Sequence, residues 1–138
     1  MKYFLYTDGA ARGNPGPGGA GVYLTHESGE EIKKIGIYLG TVTNNVAEYQ
    51  ALLIGIESYL KHVKRPKQSE LHICMDSELV VRQVQGQYKV KNPHLQKIFN
   101  QVMEKLGSLK YVIRHVPREE NDVADQLANE AIDEIFHQ

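Results

Sequence analysis

The chain has 138 residues, enough for a buried core, and we expect one domain over residues 1–138. Hydrophobic residues make up 41%, which excludes a disordered chain, and no apolar run approaches the ~20 residues that span a bilayer. Sixteen lysines and arginines against seventeen acidic residues give a net charge of −1, so the composition lacks the basic excess of many nucleic-acid-binding proteins.

The first forty residues predict three β-strands, at residues 3–7, 20–25 and 32–39. A glycine- and proline-rich stretch at residues 13–19 separates the first two strands, and a turn at residues 27–30 separates the next two. Such short connections predict an antiparallel meander.

From residue 45 the apolar residues recur at helical spacing up to Val63. Thr43 or Asn44 would cap this helix, and Pro66 would close the segment.

The second half predicts strands at residues 71–75 and 109–115, and helices at residues 77–84, 93–106 and 121–136. The order β-β-β-α-β-α-α-β-α predicts an α/β protein with a five-stranded mixed sheet and helices on both faces. The single cysteine, Cys74, lies in the fourth strand, where we expect core packing. It cannot form an internal disulfide, which favours a cytoplasmic protein.

Four carboxylates are predicted to meet at the carboxyl ends of the parallel strands, where open α/β sheets place their sites. Asp8 and Asp76 end the first and fourth strands, Glu48 lies in the first turn of its helix facing the sheet, and Asp125 lies early in the last helix. Clustered carboxylates repel unless a cation neutralises them, and ligands that are all oxygen select Mg²⁺ or Mn²⁺.

Each acid also has a plainer structural interpretation. A single aspartate at a strand end is usually a turn or cap residue, and Asp76 could cap the short helix that follows it. Glu48 could interact with the helix dipole, and Asp125 could pair with Arg118.

Four sequence blocks resemble the signatures of the type 1 ribonuclease H (ribonuclease HI) family. They are YTDGAARGNPGPGG at residues 6–19, TNNVAEY at 43–49, ICMDSELV at 73–80 and HVPREENDVADQLA at 115–128. The blocks follow the family's order on the predicted elements, so the resemblance implies a ribonuclease H-like fold.

The resemblance implies an endoribonuclease that hydrolyses the RNA strand of RNA–DNA hybrids and leaves 5′-phosphate and 3′-hydroxyl ends. Asp8, Glu48 and Asp76 would hold one Mg²⁺, and Asp8 and Asp125 a second, with Mn²⁺ as a substitute. It implies a monomer that needs neither a membrane nor a protein partner, and it leaves open whether double-stranded RNA is also cut.

The family's substrate contacts map onto six further positions. Gly9 and the turn after it would allow close backbone approach to the RNA 2′-hydroxyl, and Thr43 matches a contact to a DNA phosphate. The remaining substrate positions are Asn14, Asn44, Asn45 and Glu78.

Two residues compete for an assisting role. His115 stands ten residues before Asp125, the spacing of a mobile histidine in bacterial members, but it is attached to a predicted strand and could be structural. Arg118 is a candidate for contacting the scissile phosphate. This arrangement resembles the archaeal-like short branch of the family.

The lysine-rich extra helix of many bacterial members is absent, and the chain has no tryptophan. Tyr88, Lys89 and Lys91 form either a reduced substrate handle or a solvated loop. We therefore expect weak hybrid binding that depends little on salt.

Two other functions fit this fold class. One is a catalytically weak or inactive ribonuclease H-fold module that only binds nucleic acid, and the other is a different phosphodiester-cleaving enzyme. The four acids argue against the first, and the Thr-Asn-Asn block argues against the second.

Overall fold

The computed structural model describes residues 1–136, which form one five-stranded mixed sheet covered by helices. The strands, in chain order, are β1 (Lys2–Ala11), β2 (Gly16–His26), β3 (Glu31–Val42), β4 (Glu70–Met75) and β5 (Lys110–His115). The helices are α1 (Asn44–His62), α2 (Glu78–Val84), α3 (Pro93–Leu106) and α4 (Asp122–Phe136). The predicted order of elements is confirmed.

The strands lie in the order β3-β2-β1-β4-β5, with β1 at the centre. β1, β2 and β3 pair antiparallel as the predicted meander, whereas β4 runs parallel to β1 and β5 runs parallel to β4. The carboxyl ends of β1, β4 and β5 therefore lie at one edge of the sheet, where the acids were predicted to gather.

Helices cover both faces of the sheet. α1 packs on β1 and β2 and against α3, whereas α4 packs on the opposite face over β2, β3 and β1. The main core lies on the α1 side, where Leu5, Leu52 and Ile73 are fully buried. Cys74 is also fully buried, as predicted.

The first two strands are longer than predicted. β1 continues through Asp8 to Ala11 because β2 begins at Gly16, so Asp8 pairs with Gly21 and does not end its strand. The parallel pairing with β4, however, stops at Tyr6. Asp8 therefore still projects beyond the parallel part of the sheet, at the predicted edge.

Helix caps explain two other boundaries. The Thr43 hydroxyl accepts a hydrogen bond from the Val46 amide, so α1 begins at Asn44 and Glu48 lies in its second turn, not its first. A short 3₁₀ turn, Arg118–Asn121, precedes α4, which begins one residue later than predicted. Among residues 1–136, no helix is both long and apolar enough to cross a bilayer.

Candidate active site

Three of the four acids meet at the predicted edge. Asp8 comes from β1, Glu48 from α1 and Asp76 from the residue after β4, and one carboxylate oxygen of each lies within 4.8 Å of the others. Asp8 is only 5% exposed. An open cavity of about 270 Å³ is lined by Asp8, Gly9, Ala10, Ala11, Asn44, Glu48, Asp76, Arg118 and Asp125.

Gly9 determines how close α1 comes to β1. A Cβ on Gly9 would lie 2.2 Å from the carbonyl carbon and oxygen of Ala47, so only glycine fits there. Its backbone N–H donates a 2.8 Å hydrogen bond to Glu48 Oε1 and holds that carboxylate beside Asp8. Gly9 itself lies within β1 opposite Ala20, and the turn that follows it comes only at residues 12–15.

Asp76 is not used as a helix cap. The Ser77 hydroxyl caps α2 by accepting a 3.4 Å hydrogen bond from the Val80 amide, which leaves the Asp76 carboxylate to face the other acids. The side-chain amide of Asn121 approaches Asp76 Oδ1 at 3.5 Å.

Asp125 lies in the first turn of α4 and lines the same cavity, although its oxygens lie outside the group formed by the other three acids. The Asn129 amide donates to its backbone oxygen at 3.0 Å and to Oδ1 at 3.3 Å. Arg118 Nη2 lies 3.9 Å from Asp125 Oδ1, so this pairing, one of the two alternatives for Asp125, is present.

Burial and mutual repulsion favour protonated carboxyls in the absence of a cation. Burial, followed by the charges of Glu48 and Asp76 and a hydrogen bond with Asp125, raises the pKa of the Asp8 carboxyl to about 10. Burial also raises the pKa of Glu48 to about 8, although the hydrogen bond from Gly9 opposes the shift.

The donor set fits a hard divalent cation. It offers only oxygen atoms, they lie within reach of one ion, and among the lining residues the only cation is Arg118, whose side chain is 77% exposed. A bound cation would remove the repulsion that otherwise keeps these acids protonated.

A second cavity, of about 420 Å³, adjoins the first at Asn44 and is lined by Asn14, Thr43, Asn44, Asn45, Val46, Asn92, His94 and Leu95. It gathers four of the predicted substrate residues. The Asn14 side chain accepts a 3.0 Å hydrogen bond from the Asn44 amide, and the Asn44 side chain accepts one from the Ala11 amide at 3.2 Å. These bonds tie the loop after β1 to the start of α1.

Asn92 and His94 were not predicted as site residues. Asn92 caps α3 by accepting hydrogen bonds from the amides of His94 at 2.9 Å and Leu95 at 3.2 Å. The sequence signal at this point, an asparagine before a proline, indicates a helix cap and no more. The packing of α3 against α1 is what brings both residues to the cavity.

Glu78 and His115 lie outside the residues that line the two cavities. Glu78 is exposed and pairs with Arg82 at 2.8 Å, and the hydrogen bond from Arg82, together with its positive charge, lowers the pKa of Glu78. His115 is the exposed last residue of β5. Their predicted roles therefore stay predictions.

Arg82 contacts the loop between α2 and α3, residues 85–92. Its guanidinium donates a 2.6 Å hydrogen bond to Gln87 and lies 5.9 Å from the centre of the Tyr88 ring. Lys89 and Lys91 follow on the same loop.

The family model described as "Reverse transcriptase-like" matches residues 6–131. The chain is 38% identical over 135 residues to the bifunctional protein Rv2228c of Mycobacterium tuberculosis, covering 96% of this chain and 36% of that protein. It is 38% identical over 134 residues to the ribonuclease HI of Halobacterium salinarum, covering 96% of this chain and 65% of that protein. The chain thus spans about a third to two thirds of these relatives.

A ribonuclease H of Coxiella burnetii is 33% identical over 148 residues, which cover 96% of this chain and 91% of that protein. Among solved structures, LC11-RNase H1, isolated from compost, superimposes with a TM-score of 0.93 at 45% identity, with 98% of each chain covered. A structure of LC11-RNase H1 in complex with an RNA/DNA hybrid matches with a TM-score of 0.88 at 44% identity, covering 97% of this chain and 99% of that one.

Proposed function

Because the chain belongs to the type 1 ribonuclease H family, we propose that it is a metal-dependent endoribonuclease that hydrolyses the RNA strand of RNA–DNA hybrids. The observation that carries this proposal is the oxygen-only cluster of Asp8, Glu48 and Asp76 at the edge of the sheet, where Asp8 is buried, Glu48 and Asp76 are half-buried, and Asp125 lies beside them. A binding module would gain nothing from a cluster whose repulsion destabilises it.

In the proposed mechanism, Asp8, Glu48 and Asp76 would hold one Mg²⁺, and Asp8 and Asp125 would hold a second. The ions would supply an activated water and charge stabilisation at the departing 3′ oxygen. The protein keeps the acids at the required spacing, with Gly9 orienting Glu48 and Asn129 orienting Asp125. We expect products with 5′-phosphate and 3′-hydroxyl ends.

The asparagine-lined cavity supports the hybrid as substrate. Amide side chains carry both donors and acceptors, which suits recognition of a 2′-hydroxyl, the group that distinguishes RNA from DNA. This cavity shares Asn44 with the carboxylate cavity, so a strand held by the asparagines would pass beside the acids. Arg118 is the cation available to a phosphate at that point.

Cleavage of labelled duplexes tests the proposal. With Mg²⁺ or Mn²⁺ the wild type should cut RNA–DNA hybrid and leave DNA duplex intact, and a chelator should abolish cleavage. Asp8→Asn and Asp125→Asn should lower the rate by about three orders of magnitude or more, since each removes a ligand worth several kcal/mol.

Asp122→Asn is the matched control, because Asp122 is an exposed acid in the same turn of α4 as Asp125 and does not line the carboxylate cavity. It should retain wild-type activity. Cleavage that survives chelation would contradict the mechanism, and hybrid binding without cleavage would identify a non-catalytic module. A double-stranded RNA substrate in the same assay would show whether that duplex is cut as well.

A further inference from the structure

Asn121 is a buried amide to which the mechanism above assigns no role. It is 1% exposed and ends the 3₁₀ turn Arg118–Asn121, directly before α4. The sequence pattern predicts Asn121 only as the first residue of the last helix.

The Asn121 side chain joins the segments that carry three of the acids. Its Nδ2 donates a 2.9 Å hydrogen bond to the backbone oxygen of Thr7, the residue before Asp8, and approaches Asp76 Oδ1 at 3.5 Å. Asn121 itself lies four residues before Asp125 on the chain. A single NH₂ group therefore contacts β1 and the end of β4 from the start of α4.

A neutral donor is well suited to this position. The acids must lose their protons to bind a cation, and they repel one another once they are ionised, so a hydrogen-bond donor helps to hold Asp76 beside Asp8 at that stage. A lysine or arginine could also hold Asp76, but its charge would compete with the cation for the same oxygens. The amide of Asn121 positions the carboxylate and leaves its charge available.

The oxygen of the Asn121 side-chain amide is an unpaired acceptor within residues 1–136. Asn121 Oδ1 is buried and has no hydrogen-bond partner among the described residues. A buried acceptor without a partner lowers the stability of the folded protein. An amide held in this orientation despite that cost suggests that the donor side has a function.

We propose that Asn121 is a positioning residue that holds Asp76 and β1 at the spacing required for divalent metal binding. This inference rests on the proposed function, and it assigns Asn121 no contact with the substrate. Loss of Asn121 should therefore weaken metal binding and lower kcat, while KM for the hybrid stays unchanged.

The test uses two variants and two matched controls. Asn121→Leu keeps the branched shape of the side chain but removes the donor without adding charge, and Asn121→Ser shortens it. Gln83 is the control because it is another buried amide, 6% exposed, bonded to Tyr49 at 2.6 Å and to the Lys89 backbone at 3.3 Å, with no bond to the acids. The controls are Gln83→Leu and Gln83→Ser.

Calorimetric titration of each protein with Mn²⁺, without nucleic acid, gives the readout that does not depend on activity. Both Asn121 variants should bind Mn²⁺ about 10–100-fold more weakly than the wild type, the usual effect of removing a partner that orients a metal ligand. The Gln83 variants should bind it normally, even where their Tm falls. In cleavage assays the Asn121 variants should need more Mg²⁺ for half-maximal rate.

Wild-type Mn²⁺ affinity in both Asn121 variants would overturn the inference, as would an equal loss in the Gln83 variants. If an Asn121 variant is too unstable for titration, the rise in its Tm on adding Mn²⁺, relative to its own metal-free Tm, gives the same comparison. A wild type that binds Mn²⁺ but does not cut hybrid would refute the proposed function, and the titrations would still decide the role of Asn121.

Discussion

The burial of Asp8 beside other acids has an energetic cost. The carboxyl group of Asp8 is almost completely buried beside Glu48 and Asp76, so ionising it in the absence of a cation costs free energy. The same burial keeps the oxygens of these acids within reach of one ion. The arrangement that suits the proposed chemistry therefore destabilises the metal-free protein.

The metal-free protein should lose stability as pH rises. The folded-state pKa of Asp8 is about 10 against an ordinary 3.8, so between these values the folded protein keeps a proton that the unfolded chain has released. The stabilising effect of that proton is complete below the lower value and disappears as pH approaches the upper one. Glu48 acts in the same direction up to its own pKa of about 8.

Urea unfolding in a chelator, at several values from about pH 5 to about pH 9, measures this effect. Asp8→Asn should be more stable than the wild type at the upper end and should show a weaker decline. Saturating Mg²⁺ should restore the stability of the wild type but not that of Asp8→Asn. A wild-type profile that is flat in the chelator would contradict the assignment.

The elements that carry the acids depend on close approach between helix and sheet. α4 carries Asp125 and packs on β2. At this contact a Cβ on Gly21 would lie 1.9 Å from the Ala124 carbonyl oxygen. No side chain fits in that gap, and Gly21 pairs directly with Asp8 across the sheet. The distance between Asp125 and Asp8 is therefore set by a glycine.

Gly21→Ala should displace α4 and lower both stability and activity. Overpacking of this kind typically costs ~1–3 kcal/mol, and we expect a value at or above that range because the clash is with backbone. Thermal unfolding and the rate of hybrid cleavage measure the two effects.

Gly107→Ala is the matched control, since an added Cβ there meets nothing closer than 3.4 Å and its φ of −59° suits alanine. That variant should keep wild-type activity. Equal behaviour of the two variants would show that the position of α4 is not set by Gly21.

The spacing of apolar residues was sufficient to predict the helices and strands. The order of these elements then predicted the edge of the sheet at which the acids gather, because each acid lies at or near the end of a predicted strand or helix. The spacing was not sufficient for residues 16–19, which read as a loop and form the start of β2. Glycines in a strand mark close backbone approach, and that approach depends on α4, more than one hundred residues away in sequence. The close contact of Gly9 with α1 and the positions of Asn92 and Asn121 beside the site were missed for the same reason, since each depends on a distance between elements.

Charge is distributed sparsely around the site. Among the residues lining the carboxylate cavity Arg118 is the only cation, and Lys89 and Lys91 lie on the loop after α2. About three cations are available to the phosphates of the hybrid. A plot of the logarithm of the binding constant for the hybrid against the logarithm of the salt concentration should therefore have a slope no steeper than about −3.

Fluorescence anisotropy with Asp8→Asn, which should bind hybrid without cutting it, measures the slope. Replacing Lys89 and Lys91 with glutamine in that background distinguishes the two interpretations of the loop. A substrate handle predicts that the slope becomes shallower by about 2, and a solvated loop predicts no change. A slope much steeper than −3 in the parent would mean that other basic residues contact the hybrid.

The wide spacing of the four acids along the chain, from residue 8 to residue 125, has a consequence for folding kinetics. A complete ligand set forms only after β1, α1, β4 and α4 have all docked, so a transition state in which α4 is still undocked could not bind the ion fully. Mg²⁺ should therefore slow unfolding and leave the refolding rate almost unchanged. Stopped-flow measurements with and without Mg²⁺ would show this as a shift of the unfolding arm alone, and faster refolding would instead mean that the acids assemble early.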